Sequence, residues 1–389
     1  MMAIALTLTL ACTLPAWMVG AMSVQIRAEL DFSLVSLGFA IAIFRLTGAV
    51  LSPLLGQVPD RIGPLASMRI AAAIAGLSSL AIAIFATTYT QLVALLAFAG
   101  ISNSLGQTAS TLALVRAVKQ ARQGLAFGMK QAALPIGSMV AGLSVPLIAL
   151  TVGWRWGVVL AAAISFAIPL ALPREGFSPR ASVTGPPDAR RGALALFALA
   201  GAMFFSAASA GALTTYLVES SVEAGLSPGP AGILLASGSI LAIMMRLYAG
   251  VAADRREGGH LRLCAAMIAL GSIGFALLGT ERIGWMLLGS VFAFTFGWGF
   301  PGLFWYAIVK QSQARPAQVT GILMPGPMFG GVAGPIVFGW LVERFGYGPS
   351  WLSVAGWMLV SAVLMMLGRM LSLRARERQD TQEGAGVTS

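Results

Sequence analysis

Three basic side chains stand inside long apolar runs of this sequence: Arg45 in "AIFRLTGAV", Lys130 in "FGMKQAAL" and Arg246 in "AIMMRLYAG". A charge there is costly, so it faces a cavity, a partner or an exposed carbonyl. Small residues line the same helical stripe in each case. Arg45 shares its stripe with Gly48, Ala49, Ser52 and Gly56, Lys130 with Ala126, Ala133, Gly137 and Ala141, and Arg246 with Ser239, Ala242, Ala249 and Ala253. Such stripes turn toward protein and not toward lipid. None of the 14 acidic residues lies deep enough in a run to neutralise these cations. The chemistry this predicts is recognition of a small anion by buried cationic donors. The alternatives are structural: Lys130 snorkelling to the surface, Arg246 bracing Asp254, and Arg45 bonding carbonyls at a helix break.

Those cations need elements to hold them. Apolar residues make up 57% of the 389 and charged residues only 10%, far below the charge content of a soluble domain. Runs long enough to cross a bilayer recur at about 1–26, 36–57, 66–87, 91–115, 124–149 and 153–172. Six more follow at about 192–218, 228–250, 261–280, 283–309, 318–342 and 349–370. The first reads as a span and not as a signal peptide, because it lacks a basic leader and is too long. The predicted fold is an all-α membrane protein of twelve transmembrane helices in two six-helix, pseudo-symmetric bundles. The bundles cover 1–172 and 192–371, with a polar linker at 173–191 and a disordered cytoplasmic tail at 372–389.

The two sixes are copies. Asp60-Arg61 recurs as Asp254-Arg255, the triplet "VKQ" at 118–120 recurs at 309–311, and Gly124, Gly137, Gly142 and Trp154 are matched by Gly321, Gly334, Gly339 and Trp351. An even number of spans per copy makes the repeats parallel. The net charge of +11 resides mostly in the links that share a side with both termini, so the positive-inside rule places the termini in the cytoplasm of a multi-pass plasma (inner) membrane protein. That distribution argues for the lipid bilayer and against nucleic acid as partner. Cys12 and Cys264 have neither metal nor disulfide spacing, and the spans hold no nucleophile elbow or paired carboxylates. The expectation is a transporter and not an enzyme, without metal or cofactor, acting as a monomer.

"GQVPDRIG" after the second span, "GVAADRREG" after the eighth and "GGVAGPIVFGWLVERFGY" in the eleventh resemble the signatures of major facilitator superfamily transporters. Gly56, Asp60, Arg61 and Gly63 match the family's loop pattern, while Pro64 and Leu65 replace its final basic pair. The resemblance implies alternating access, with Gly56, Asp60, Arg61, Gly250, Asp254 and Arg255 as a conformational latch. The glycines there are expected to allow close backbone approach at helix ends. "GLAFGMKQAALPIGSMVAGLSVPL" in the fifth span is similar to the cyanate-permease and monocarboxylate-like branches, which adds Gln131 to Lys130. The substrate-site expectation is Arg45, Lys130, Gln131 and Arg246, with Asn103 and Gln107 in the fourth span, Tyr216 in the seventh, and Trp298 and Tyr306 in the tenth. Glu219 and the single histidine, His260, read as solvated residues at span ends. The rival reading is an efflux pump for drugs or metabolites driven by proton antiport, against which stand a missing glycine-proline ending in the fifth span and the basic cavity.

Overall fold

The computed structural model describes residues 2–117, 123–172, 193–254, 258–311, 319 and 322–386. Twelve of its helices are long and apolar enough to cross a membrane. The first six are α1 (Met2–Ala21), α2 (Leu34–Leu55), α3 (Pro64–Phe85), α4 (Tyr89–Ala117), α5 (Gln123–Ser144) and α6 (Trp154–Ala171). The second six are α7 (Ala193–Glu223), α8 (Pro228–Asp254), α9 (His260–Leu278), α10 (Ile283–Phe292), α11 (Pro325–Phe345) and α12 (Tyr347–Gly386). After a π-helical turn at Ala293–Gly297, α10 resumes as Pro301–Gln311. The architecture is the predicted pair of six-helix bundles.

The end that carries both termini is called the terminal end below, and the opposite one the distal end. Short connections dominate at the distal end. Gly153, Gly225 and Gly346 turn the chain there with φ of 100°, 100° and 80°, a region that glycine enters without steric penalty. Only the link between α1 and α2 is elaborate, forming the short helix Ser23–Leu30. Ser33 then caps α2, its hydroxyl accepting the Ser36 N–H.

Two features depart from the sequence reading. Composition predicts disorder from 372, yet α12 continues as helix to Gly386, because "SLRARERQDTQEG" contains good helix formers and no proline. The glycine of the second latch motif, Gly250, meets nothing within 4 Å and is exposed, so it provides no close approach at the end of α8.

The halves meet through glycines. A methyl group on Gly142 in α5 would sit 2.6 Å from the carbonyl oxygen of Gly232 in α8, and the reverse distance is also 2.6 Å. Gly339 in α11 packs likewise against Leu34 and Val35 at the start of α2, and Gly38 in α2 against the Pro335 carbonyl of α11. Since α5 and α11 are repeat-related, as are α2 and α8, these are two versions of one crossing. Neither carbonyl can move aside as a flexible side chain would. Gly142→Ala and Gly232→Ala are each expected to cost about 1–3 kcal/mol of stability through overpacking, measured by thermal unfolding in detergent. Gly250→Ala, in open space, should cause no loss.

Candidate functional site

The three predicted cations occupy different environments. Lys130 is buried, and its Nζ donates to the Gln107 carbonyl at 2.9 Å and to Thr111 Oγ1 at 2.5 Å. It therefore joins α5 to α4 inside the first half. Arg246 is buried too and donates across the halves. Its Nη1 bonds the Gln131 carbonyl of α5 at 2.6 Å, while Nη2 and Nε bond the Trp298 carbonyl of α10 at 3.0 and 3.3 Å. The expected brace to Asp254 falls outside the described residues, which exclude that side chain.

Both carbonyls are vacant for reasons written in the sequence. Pro135 lies within α5 and has no N–H to offer the residue four positions earlier, which is Gln131. At α10, the Trp298 carbonyl falls in the interruption between the π-helical turn Ala293–Gly297 and the helix that restarts at Pro301, outside the regular helical ladder. A membrane offers no water to such groups, so a neighbouring helix must satisfy them.

Arg45 differs. It lies near the middle of α2, about 15 Å from either end. Among the described residues it makes no hydrogen bond or ion pair, and its Nε is buried without a partner. Its guanidinium carbon lies 5.6 Å from the centroid of the Trp17 ring in α1. Its Nη1 is 3.3 Å from where a side chain on Gly331 of α11 would begin. Gly331 thus makes room for this cation between α2 and α11.

Two further unpartnered polar groups belong to neighbouring helices. The Trp17 indole N–H is buried without an acceptor, and so is Oδ1 of Asn103 without a donor. Asn103 on α4 packs against Gly48, one turn from Arg45. Trp17 in turn meets Trp298 at a tilt of 55°, ring centroids 5.9 Å apart, giving an aromatic bridge between the Arg45 and Arg246 neighbourhoods. Sequence reasoning overlooked Trp17, whose only signal was an indole inside the first span.

The other predicted contacts are distributed elsewhere. Tyr216 is fully buried toward the distal end, its hydroxyl placed 2.8 Å from the Leu34 carbonyl and 2.9 Å from that of Pro335. Tyr306 meets His260 edge-on at 5.4 Å. His260 is buried, and Glu219 is buried and paired to Arg27 at 3.1 Å; both correct the expectation of solvated residues, since each packs against a neighbouring element. Gln107 contributes its carbonyl to Lys130, and Gln131 its carbonyl to Arg246.

At the latch, Asp60 and Arg61 lie exposed in the short helix Val58–Ile62, with Arg61 donating to Gln57 at 3.5 Å. Gly56 ends α2 with ordinary right-handed geometry. Arg255 and the side chain of Asp254 lie outside the described residues.

The distal end is sealed by polar contacts between the halves. Arg27 pairs with Glu219, the Val35 N–H donates to Glu343 at 2.7 Å, and Tyr216 reaches both α2 and α11. Within the first half, Glu29 accepts from Arg155 and from the Trp154 indole, and Arg155 also holds the Ala86 carbonyl. Three distal links are thereby tied together.

A family model described as Major Facilitator Superfamily matches residues 5–325. No curated protein matches the chain.

Partial burial works against the charge on Glu29, but Arg155 and the Trp154 N–H outweigh it and hold its carboxyl below the ordinary 4.5. A depressed carboxylate stabilises the fold above its unfolded-state value and loses that contribution as pH falls through the folded one. The melting advantage of the parent protein over Glu29→Ala should therefore be present at neutral pH and shrink on acidification below 4.5. An advantage that is constant with pH would contradict the pairing.

Proposed function

Because the chain belongs to the major facilitator superfamily and is a membrane transporter, we propose that it carries a small monocarboxylate- or cyanate-like anion, with Arg45 as the principal substrate contact. The observation that supports this is Arg45 at mid-depth, whose Nε is buried without a partner and whose guanidinium makes no hydrogen bond or ion pair among the described residues. Leaving such a group bare in hydrocarbon is costly, and a carboxylate accepts two parallel bonds from it. Trp17 offers a second donor, and Asn103 an amide beside it. No acidic residue lies deep in a span to favour a cation instead.

Transport in this reading is alternating access. Residues 1–172 rock against 192–371 about the mid-depth site, with 173–191 as the linker and the termini in the cytoplasm of the inner membrane. The distal seal then belongs to a state closed to the outside. Asp60 and Arg61 stand at the opposite end, where a latch would close the complementary state. Lys130 and Arg246 add positive potential to the site, although their donors are engaged with protein acceptors. Proton coupling is not required by the groups at mid-depth, so exchange or facilitated diffusion suffices.

Thermal unfolding of the purified protein, with acetate, lactate, cyanate, nitrate and a lipophilic cation as additives, tests this reading. An anion present at about 100 times its dissociation constant should add about 2.7 kcal/mol to the folded state. Arg45→Ala should abolish that gain. Stabilisation by the lipophilic cation alone would overturn the anion reading in favour of an exporter.

A further inference from the structure

The cation of α8 has a different task. We infer that Arg246 is a positioning residue of the transport cycle, a clasp that holds α8 to α5 and α10 across the two halves by serving backbone carbonyls that Pro135 and the break in α10 leave without donors.

Three observations converge on this. First, all three kinds of guanidinium nitrogen are engaged, Nη1 with Gln131 and Nη2 and Nε with Trp298, and the side chain is 8% exposed. The side edge formed by Nε and Nη2 is spent on one carbonyl and Nη1 is committed to another, so the group's orientation is set by protein acceptors. Secondly, the acceptors are not ordinary helix carbonyls. Gln131 stands four residues before the proline inside α5, and Trp298 lies between the π-helical turn Ala293–Gly297 and Pro301. Thirdly, the bonds cross between the halves. Gln131 belongs to the first half, whereas Arg246 and Trp298 belong to the second. The distal crossing of Gly142 and Gly232 joins the same two helices α5 and α8, about 21 Å from Arg246 along α8. The clasp is thus a second, remote fastening of one helix pair.

The consequence concerns the aromatic bridge. Arg246 holds the Trp298 carbonyl and lies 5.3 Å from the Trp298 ring, and Trp298 faces Trp17, over which Arg45 sits. Loosening Arg246 therefore frees both the relative placement of the halves and one wall of the Arg45 site. Lysine is not equivalent here, because its compact ammonium does not reproduce the planar fork whose separate nitrogens reach carbonyls on two different helices.

The distinguishing test is a double-mutant cycle between residues that do not share a side-chain contact with substrate. Pro135→Ala restores an N–H for the Gln131 carbonyl and so removes part of the need for Arg246. Arg246→Ala and Arg246→Lys alone should weaken folding equilibria roughly tenfold or more, the worth of a charge-assisted hydrogen bond. In the Pro135→Ala background the same changes should cost at least roughly threefold less. Opening is followed by maleimide labelling of Val35→Cys, placed in the distal seal beside Glu343. Because Arg246 fastens the halves on the terminal side of mid-depth, Arg246→Ala should favour opening at that end and lower the distal labelling several-fold, and Pro135→Ala should partly reverse the fall. Additive stability effects would overturn the clasp. The labelling arm rests on the rocking motion proposed above and the stability cycle does not. A coupled cycle with unchanged labelling would therefore leave a static tie and remove its role in transport. Loss of anion stabilisation in Arg45→Ala is separate from both.

Discussion

A helix that crosses a membrane must satisfy every backbone carbonyl without water, and a proline inside it removes one donor that nothing local replaces. This constraint organises the centre of the molecule. Pro135 leaves Gln131 open and the interrupted α10 leaves Trp298 open, and a single arginine from a third helix answers both. The interruption is tolerable only because Arg246 is there, and Arg246 is tolerable in hydrocarbon only because the carbonyls are there. Each defect compensates the other, and the pair fixes three helices from two halves at one point.

Close approach is the second requirement, since the polar contacts need short distances between backbones. Glycine supplies it at Gly142 and Gly232 on one side and at Gly38 and Gly339 on the other. Apolar packing between helices gains little from the hydrophobic effect when lipid is the alternative solvent, so contact area and hydrogen bonds carry the association. The distal seal follows this logic. Arg27, Glu219, Tyr216 and Glu343 reach across where the glycines have already brought the helices together. A seal of a few polar contacts over a small-residue crossing is also one that a modest change in free energy can open.

Much of this architecture was readable in one dimension. The spans, the repeat and the three intramembrane cations follow from hydropathy, self-similarity and the cost of charge in lipid, all of which are local properties. What each cation does is not local. Lys130 binds helix α4 next to it, Arg246 bonds two carbonyls more than fifty residues away, and Arg45 faces a glycine on α11; only packing decides among these. The prolines were visible, but the identity of the donor that would serve the freed carbonyls was not. Glu219 and His260 were misjudged for the same reason, being charged or polar at span ends yet covered by elements distant in sequence. Trp17 was missed because an indole in an apolar span carries no signal until its N–H is seen to lack a partner.

The two arginines of the paired helices differ in what surrounds them. Helices α2 and α8 are repeat-related, and each sends an arginine toward a proline-containing helix of the other half: Arg246 toward α5, Arg45 toward α11. In both, the residue four positions before the proline lies next to the arginine, Gln131 for Arg246 and Gly331 for Arg45. The second half adds the open Trp298 carbonyl and saturates its arginine. Arg45 has instead the Trp17 ring of α1 beside it, whose indole N–H is a donor and not an acceptor. The two arginines stand at different heights on repeat-related helices, since at the offset that aligns Asp60 with Asp254 their counterparts are Ser239 and Ser52, so each crossing arose separately and acquired its own partners.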